Sequence, residues 1–251
     1  RKQLLAELAF LNPRLAADAS PHAVRLFDAY HHEDRTYLVM EFCECGALDT
    51  CMSRKGVPSE PVLSVIVRHM CLGLHFLHRN SIIHRDLKPG NCLVTADGVV
   101  KISDFGSSKQ ADGASGGMAT TFTGTMRYMS PERLNGEGYS TASDIWSLGL
   151  IIMELAHGFH PFMLLGTEAG FMDIREYACS RETPPMPAGY SEAATHLANI
   201  CVAKSAADRP SAAAIANEAA PAASHPFIVA HLDRDQRDVA ARRRRIRPVA
   251  R

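Results

Sequence analysis

No charge of either sign dominates the 251-residue chain: Lys plus Arg and Asp plus Glu number 27 each, and the formal net charge is zero. Without a global field, the composition argues for neither a nucleic-acid nor a membrane-surface partner. The seven cysteines form no CxxC pair. Cys43 and Cys45 stand too close for a zinc knuckle and no His-rich partner motif follows, so reduced thiols of an intracellular protein are expected. There is no apolar run long enough to span a bilayer; the longest, Leu148 to Ala156, is broken by Glu154. The chain opens Arg1-Lys2-Gln3, with neither Met nor the apolar core of a signal peptide, and is expected to be cut from something longer. No internal repeat occurs. What is there is ordinary for a soluble globular protein, 46% hydrophobic and 22% charged, in a length that suits one domain or two small lobes.

Periodicity places the elements. Leu4, Leu8 and Leu11 make a helical stripe over 1–12, and Glu7 falls inside it, where a carboxylate needs a partner or an edge that reaches water. Residues 22–30 and 35–41 read as strands joined by the polar turn His31-His32-Glu33-Asp34. Ser59-Glu60-Pro61 opens a helix with Leu63, Val67, Met70, Leu74 and Leu77 on one face. Runs at 92–95 and 99–102 meet at Asp97-Gly98, a hairpin turn. Residues 107–125, rich in Gly, Ser and Thr, read as a loop. Residues 144–156 are apolar nearly all round, as in a buried helix, and amphipathic helices are expected near 167–179, 191–203 and 211–219.

The chemistry sits between residues 84 and 132. His84-Arg85-Asp86-Leu87-Lys88-Pro89-Gly90-Asn91 matches the protein-kinase catalytic loop, Asp104-Phe105-Gly106 follows the expected hairpin, and Ser130-Pro131-Glu132 closes the segment in place of Ala-Pro-Glu. Each tripeptide is weak alone; the octapeptide, the order and the run Asp144-Ile145-Trp146-Ser147 are specific together. Phosphoryl transfer is mainly positioning and electrostatics around a γ-phosphate whose charge spreads over its oxygens. Asp86 would orient the attacking hydroxyl, Lys88 would neutralise the phosphate in transit, and Asn91 and Asp104 are hard oxygen ligands suited to Mg²⁺.

From Arg1 to about Ile228 the chain resembles protein kinases. It looks closest to the MAP kinase kinases, through Gly124-Thr125-Met126-Arg127-Tyr128-Met129-Ser130-Pro131-Glu132-Arg133-Leu134 and Ser143-Asp144-Ile145-Trp146-Ser147-Leu148-Gly149-Leu150. Ser107-Ser108-Lys109 and Gly136-Glu137-Gly138-Tyr139 resemble instead the kinases one tier upstream. The resemblance implies an α+β, two-lobed fold with most of the N-lobe sheet missing and a mainly helical C-lobe. Residues 1–41 would be the N-lobe remnant (helix C and two strands), 42–46 the hinge, 47–228 the C-lobe and 229–251 a basic tail. It implies ATP and Mg²⁺, with a MAP kinase as the protein substrate and an upstream kinase as activator. Met40 would be the gatekeeper, a position that also packs as core. Glu41 and Cys43 would offer main-chain bonds to the adenine edge, and Leu93 its floor. Glu7 would pair with the ATP-binding lysine. Leu11, Leu26, His84 and Phe105 would stack as a spine, Asp144 would brace the backbone of His84 and Arg85, and Glu132 would pair with Arg209. Lys88 with Thr125 resembles serine/threonine specificity, a pattern that MAP kinase kinases share while also phosphorylating tyrosine.

Two departures stand out. Neither a Gly-rich phosphate loop nor a strand lysine in a VAIK-like context precedes Glu7, so the chain as given is expected to have little activity. Gly117 occupies a position where many MAP kinase kinases carry an activating serine; Ser115 and Thr121 have the spacing of the plant members, with Thr120 and Thr123 as competing sites. Arg85 could pair with a phosphate on this loop. Arg242 to Arg245, with Arg247 and Arg251, read either as a nuclear address or docking patch or as the solvated end of a terminal helix; the location implied is cytoplasmic, and nuclear as well under the first reading. A pseudokinase scaffold and a small-molecule kinase are the other functional classes; the absent phosphate loop favours the first while intact Asp86, Asn91 and Asp104 oppose it, and the Ser-Pro-Glu segment and activation-like loop oppose the second.

Overall fold

The computed structural model describes residues 20–33, 35–104, 109–110, 126–138, 140–165, 170–180 and 182–232. The expected helix over 1–12, with Glu7 and Leu11, lies outside them, as do Phe105, Ser115, Thr121, Thr125 and the arginine-rich end of the tail. The two expected strands form an antiparallel ribbon, β1 (Leu26–His32) and β2 (Arg35–Met40), with Tyr30 opposite Tyr37 and their rings stacked at 5.0 Å. β1 starts later than expected because residues 22–24 have another neighbour. The Val24 N–H donates to the Ile102 carbonyl and the Ile102 N–H to the His22 carbonyl, both at 2.9 Å. Phe27, Leu38, Val39 and Met40 of the ribbon are all exposed.

A second sheet holds β3 (Gly46–Ala47), β5 (Cys92–Val94) and β6 (Val100–Ile102) in the order β3-β5-β6. Its β5–β6 hairpin closes as expected at Asp97-Gly98: Gly98 sits at φ +75° and its N–H donates to the Thr95 carbonyl. One pairing was not foreseen. β4 (Ile82–Ile83) pairs with β7 (Lys109–Gln110), inside the stretch read as loop.

Helices make up most of the rest: α1 (Leu48–Lys55), α2 (Glu60–Arg79), α3 (Pro131–Leu134), α4 (Ala142–His157), α5 (Phe171–Ser180), α6 (Glu192–Cys201), α7 (Ala212–Ile215) and α8 (Pro226–Val229). The α2 stripe from Leu63 to Leu77 is wholly buried. α2 is long and apolar enough to cross a membrane by length and composition, but 61% of that window is buried inside the protein, as befits a core helix. α4 is buried nearly all round and stops at Gly158, which supplies the left-handed φ of +80°. It lies so close to α6 that a Cβ on Gly149 would stand 2.7 Å from Val202 Cγ1. Ser191 caps α6 by accepting the Ala194 N–H. The helix expected over 211–219 ends after one turn: Ala216 is extended, and the Ile215 carbonyl takes the His225 N–H at 3.0 Å. The architecture is thus α+β with few short strands and a larger helical part, and all seven cysteines are free.

Candidate active site

Asp144, buried near the start of α4, organises the 84–91 loop. Its Oδ2 accepts the His84 N–H and its Oδ1 the Arg85 N–H, both at 2.9 Å. Arg85 stands at φ +71°, a conformation a non-glycine residue holds only under outside constraint. A third partner, His78 at the end of α2, reaches Oδ2 at 2.8 Å. Burial alone would raise the Asp144 carboxyl; His78, His84 and the Arg85 amide together hold it below the usual range. His84 Nε2 donates to the Ser103 carbonyl at 2.8 Å, which leaves Nδ1 to accept the Asp86 N–H at 3.3 Å and fixes the tautomer. From α3, the Arg133 guanidinium donates to the Arg85 carbonyl.

Downstream, three of the expected residues converge. Asp86 Oδ2 accepts from Lys88 Nζ at 2.7 Å and from Asn91 Nδ2 at 3.0 Å, and the same amide holds the Asp86 carbonyl at 2.7 Å. The Asn91 carbonyl takes both the N–H and the hydroxyl of Ser103, at 2.9 and 3.0 Å. That pairing sets Asp104, exposed and at φ +60°, beside Asn91 at the end of the hairpin.

The floor of this region is tied to the core. Arg209 grips Glu132 with two nitrogens at 2.8 and 2.9 Å and lies 5.2 Å above the Trp146 ring. Burial would raise the Glu132 carboxyl, but the Arg209 hydrogen bonds outweigh it and bring it down to about 2. Nearby, the Tyr128 hydroxyl donates to Glu154, and burial, aided by the Arg127 charge, lowers His160 to about 3.

The family model for the protein kinase domain matches residues 1–228. The chain belongs to the protein kinase domain family. It is 36% identical over 236 residues to mitogen-activated protein kinase kinase 1c of Physcomitrium patens, covering 91% of this chain and 64% of that one. It is 43% identical over 162 residues to the dual specificity mitogen-activated protein kinase kinase dSOR1 of Drosophila melanogaster, covering 64% of this chain and 39% of the relative. With dual specificity mitogen-activated protein kinase kinase 1 of Dictyostelium discoideum the figures are 42% over 163 residues, 64% and 24%. The kinase domain therefore spans less than two thirds of the length of these relatives.

Of the residues expected at the adenine edge, Met40 ends β2, Glu41 and Cys43 follow it, and Leu93 lies in β5. Met40 is 46% exposed rather than packed as core, because the ribbon it ends has open faces. The Glu41 N–H is already given to the Arg25 carbonyl at 2.8 Å, so of its main-chain groups only the carbonyl can serve a ligand. Its side chain pairs with buried Lys101 at 2.7 Å. Cys43 is buried, its thiol pushed up by burial and by Glu41, and Leu93 is half-buried between Ala47 and Lys101. Sequence spacing missed His78, Arg133 and Lys101. Their partners are 66, 48 and 60 residues away, and nothing local marks them.

The donor set fits Mg²⁺. Asn91 spends its amide nitrogen on Asp86, which leaves its side-chain oxygen as a hard donor, and Asp104 adds an exposed carboxylate. Among the described residues no three His, Cys, Asp or Glu side chains cluster as a closed metal cage. An ion held by two protein oxygens and completed by phosphates is the arrangement Mg²⁺ favours.

Proposed function

We propose that the protein transfers the γ-phosphoryl group of ATP to a serine or threonine hydroxyl, and also to tyrosine, of a protein substrate that is a MAP kinase. An upstream kinase switches it on through Thr121 and Ser115. The observation that carries this reading is the carboxylate of Asp86, held by Lys88 and Asn91 at 2.7 and 3.0 Å. In that arrangement Asp86 accepts the hydrogen bond of the incoming hydroxyl and takes its proton. The hydroxyl oxygen bonds to the γ-phosphorus while the bond to the β-phosphate oxygen breaks, and ADP leaves. Lys88 balances charge on the group in transit. Asn91 and Asp104 would hold Mg²⁺, which supplies positive charge against the phosphates when bound. Met40, Glu41, Cys43 and Leu93 would surround the adenine, Glu7 would pair with the ATP-binding lysine, and Thr125 would border the acceptor. The MAP kinase as substrate rests on the relatives named above.

The test is transfer of labelled phosphate from ATP to purified MAP kinases by the natural full-length protein, before and after treatment with upstream kinases. Labelling that disappears in Asp86→Asn supports the reading. Equal labelling by wild type and Asp86→Asn refutes it.

A further inference from the structure

We propose that Arg133 is a positioning residue for phosphoryl transfer, its guanidinium holding the carbonyl of Arg85 and thereby the peptide that carries Asp86. The inference rests on the phosphoryl-transfer reading above. The Arg85 carbonyl and the Asp86 N–H belong to one planar peptide unit. Its N–H end has the contact to His84 Nδ1, long at 3.3 Å. Its carbonyl end is held by a charged donor, a stronger kind of bond. One peptide earlier, Asp144 grips the Arg85 N–H. Arg85 at φ +71° is therefore clamped on both sides of its Cα, by Asp144 from α4 and by Arg133 from α3. Released at the carbonyl, the plane can rotate toward the ordinary backbone regions, and the Asp86 carboxylate turns with it. Lys88 and Asn91 would then hold Asp86 from the downstream side, with only the long His84 contact upstream.

The arm that Arg133 stands on is anchored independently. Glu132, its neighbour in α3, is gripped by Arg209 and also takes the Ser143 hydroxyl at 2.8 Å. The Ser130-Pro131-Glu132 segment thus touches the phosphoryl-transfer loop through Arg133, and the placement of the one sets the aim of the other. Asp144 cannot substitute, because its carboxylate oxygens serve amides and a carbonyl needs a donor.

The test uses the natural full-length protein with Arg133→Met, which keeps the length and removes the donors, and Arg133→Lys, which restores one. The expected result is a loss of kcat of about ten- to a hundredfold in Arg133→Met with KM for ATP nearly unchanged. Partial recovery is expected in Arg133→Lys, together with faster amide exchange confined to residues 82–88. A purely structural role would instead speed exchange across α3 and α4 and lower Tm in proportion, and that outcome overturns the proposal, as does a kcat equal to wild type. If wild type itself transfers no phosphate, the functional reading fails, and exchange alone decides the clamp: unchanged rates at 82–88 overturn it, and faster rates there support it. Should Arg133→Met not fold, Arg133→Gln, which loses the charge and most of the reach, replaces it with the same readings.

Discussion

Replacing Arg209 with Ala removes the partner of a buried carboxylate. Five hydrogen bonds go with the guanidinium: two to Glu132, and one each to the carbonyls of Ala142, Ala203 and Lys204. Glu132 is 9% exposed, so water cannot readily take Arg209's place. A buried charge stripped of its partner costs about 3–5 kcal/mol. A second route gives the same scale. The Glu132 carboxyl is lowered from 4.5 to about 2, a difference of about 3 kcal/mol at neutral pH. For a domain of this size the loss appears as a fall in Tm of roughly 10 °C. The sign of the pH dependence separates this account from simple loss of packing. In the wild type the lowered carboxyl contributes stability that is fully present above its ordinary value and is lost as pH falls toward about 2. In Arg209→Ala burial is the largest influence left and raises the carboxyl, so protonation relieves the variant. The gap in Tm should narrow as pH drops from about 7 to about 4. Thermal melts of wild type, Arg209→Ala, Glu132→Ala and the double variant across that range complete the assay, with the double variant losing less than the sum. A constant gap, or additive losses, would refute the reasoning.

Three further outcomes are expected. In the natural full-length protein Asp86→Asn should lose most of kcat while still binding ATP, whereas Asp104→Asn should chiefly raise the Mg²⁺ needed for nucleotide binding; a titration with unchanged Mg²⁺ dependence removes Asp104 from the metal. Gly149→Ala should lower Tm by several degrees, because the crowding of a Cβ against Cys201 and Val202 at 2.7 Å costs about 1–3 kcal/mol, more than the roughly 1 kcal/mol that alanine gains in a helix; a raised Tm contradicts the close crossing. Thr121→Ala should block activation by the upstream kinase and Ser115→Ala should weaken it, read by phosphate mapping with activity; full activation of Thr121→Ala would shift the site to Thr120 or Thr123.

What could be read from the sequence was whatever local physics controls. The stripe from Leu63 to Leu77, the Asp97-Gly98 turn and the apolar run into α4 all appear where periodicity and turn chemistry put them. Asp86, Asn91 and Asp104 stood out as a motif, and the ion pair of Glu132 with Arg209, inferred from the family resemblance, forms as a bidentate grip. The shortfalls come from partners distant in the chain. A helix at 211–219 is locally sensible, but the His225 amide captures the Ile215 carbonyl and the chain turns away. Lys101 sits between Val100 and Ile102, where alternation would aim it at water; Glu41 draws it into the interior instead. His78 is an ordinary histidine in the last turn of a helix until the fold carries Asp144 to it.

The β1–β2 ribbon has the proportions of a lever. Its seven-residue first strand, Leu26–His32, extends about 23 Å at roughly 3.3 Å per residue. At its base the Glu41 N–H bonds the Arg25 carbonyl at 2.8 Å, the Arg25 N–H the Glu41 carboxylate at 3.3 Å, and Lys101 the same carboxylate at 2.7 Å. With neighbouring strands about 4.8 Å apart, the arm is roughly five times the width of its base. In a ribbon of those proportions, a tilt that shifts one side of the base by about 1 Å would carry the turn at His32-Glu33 through about 5 Å.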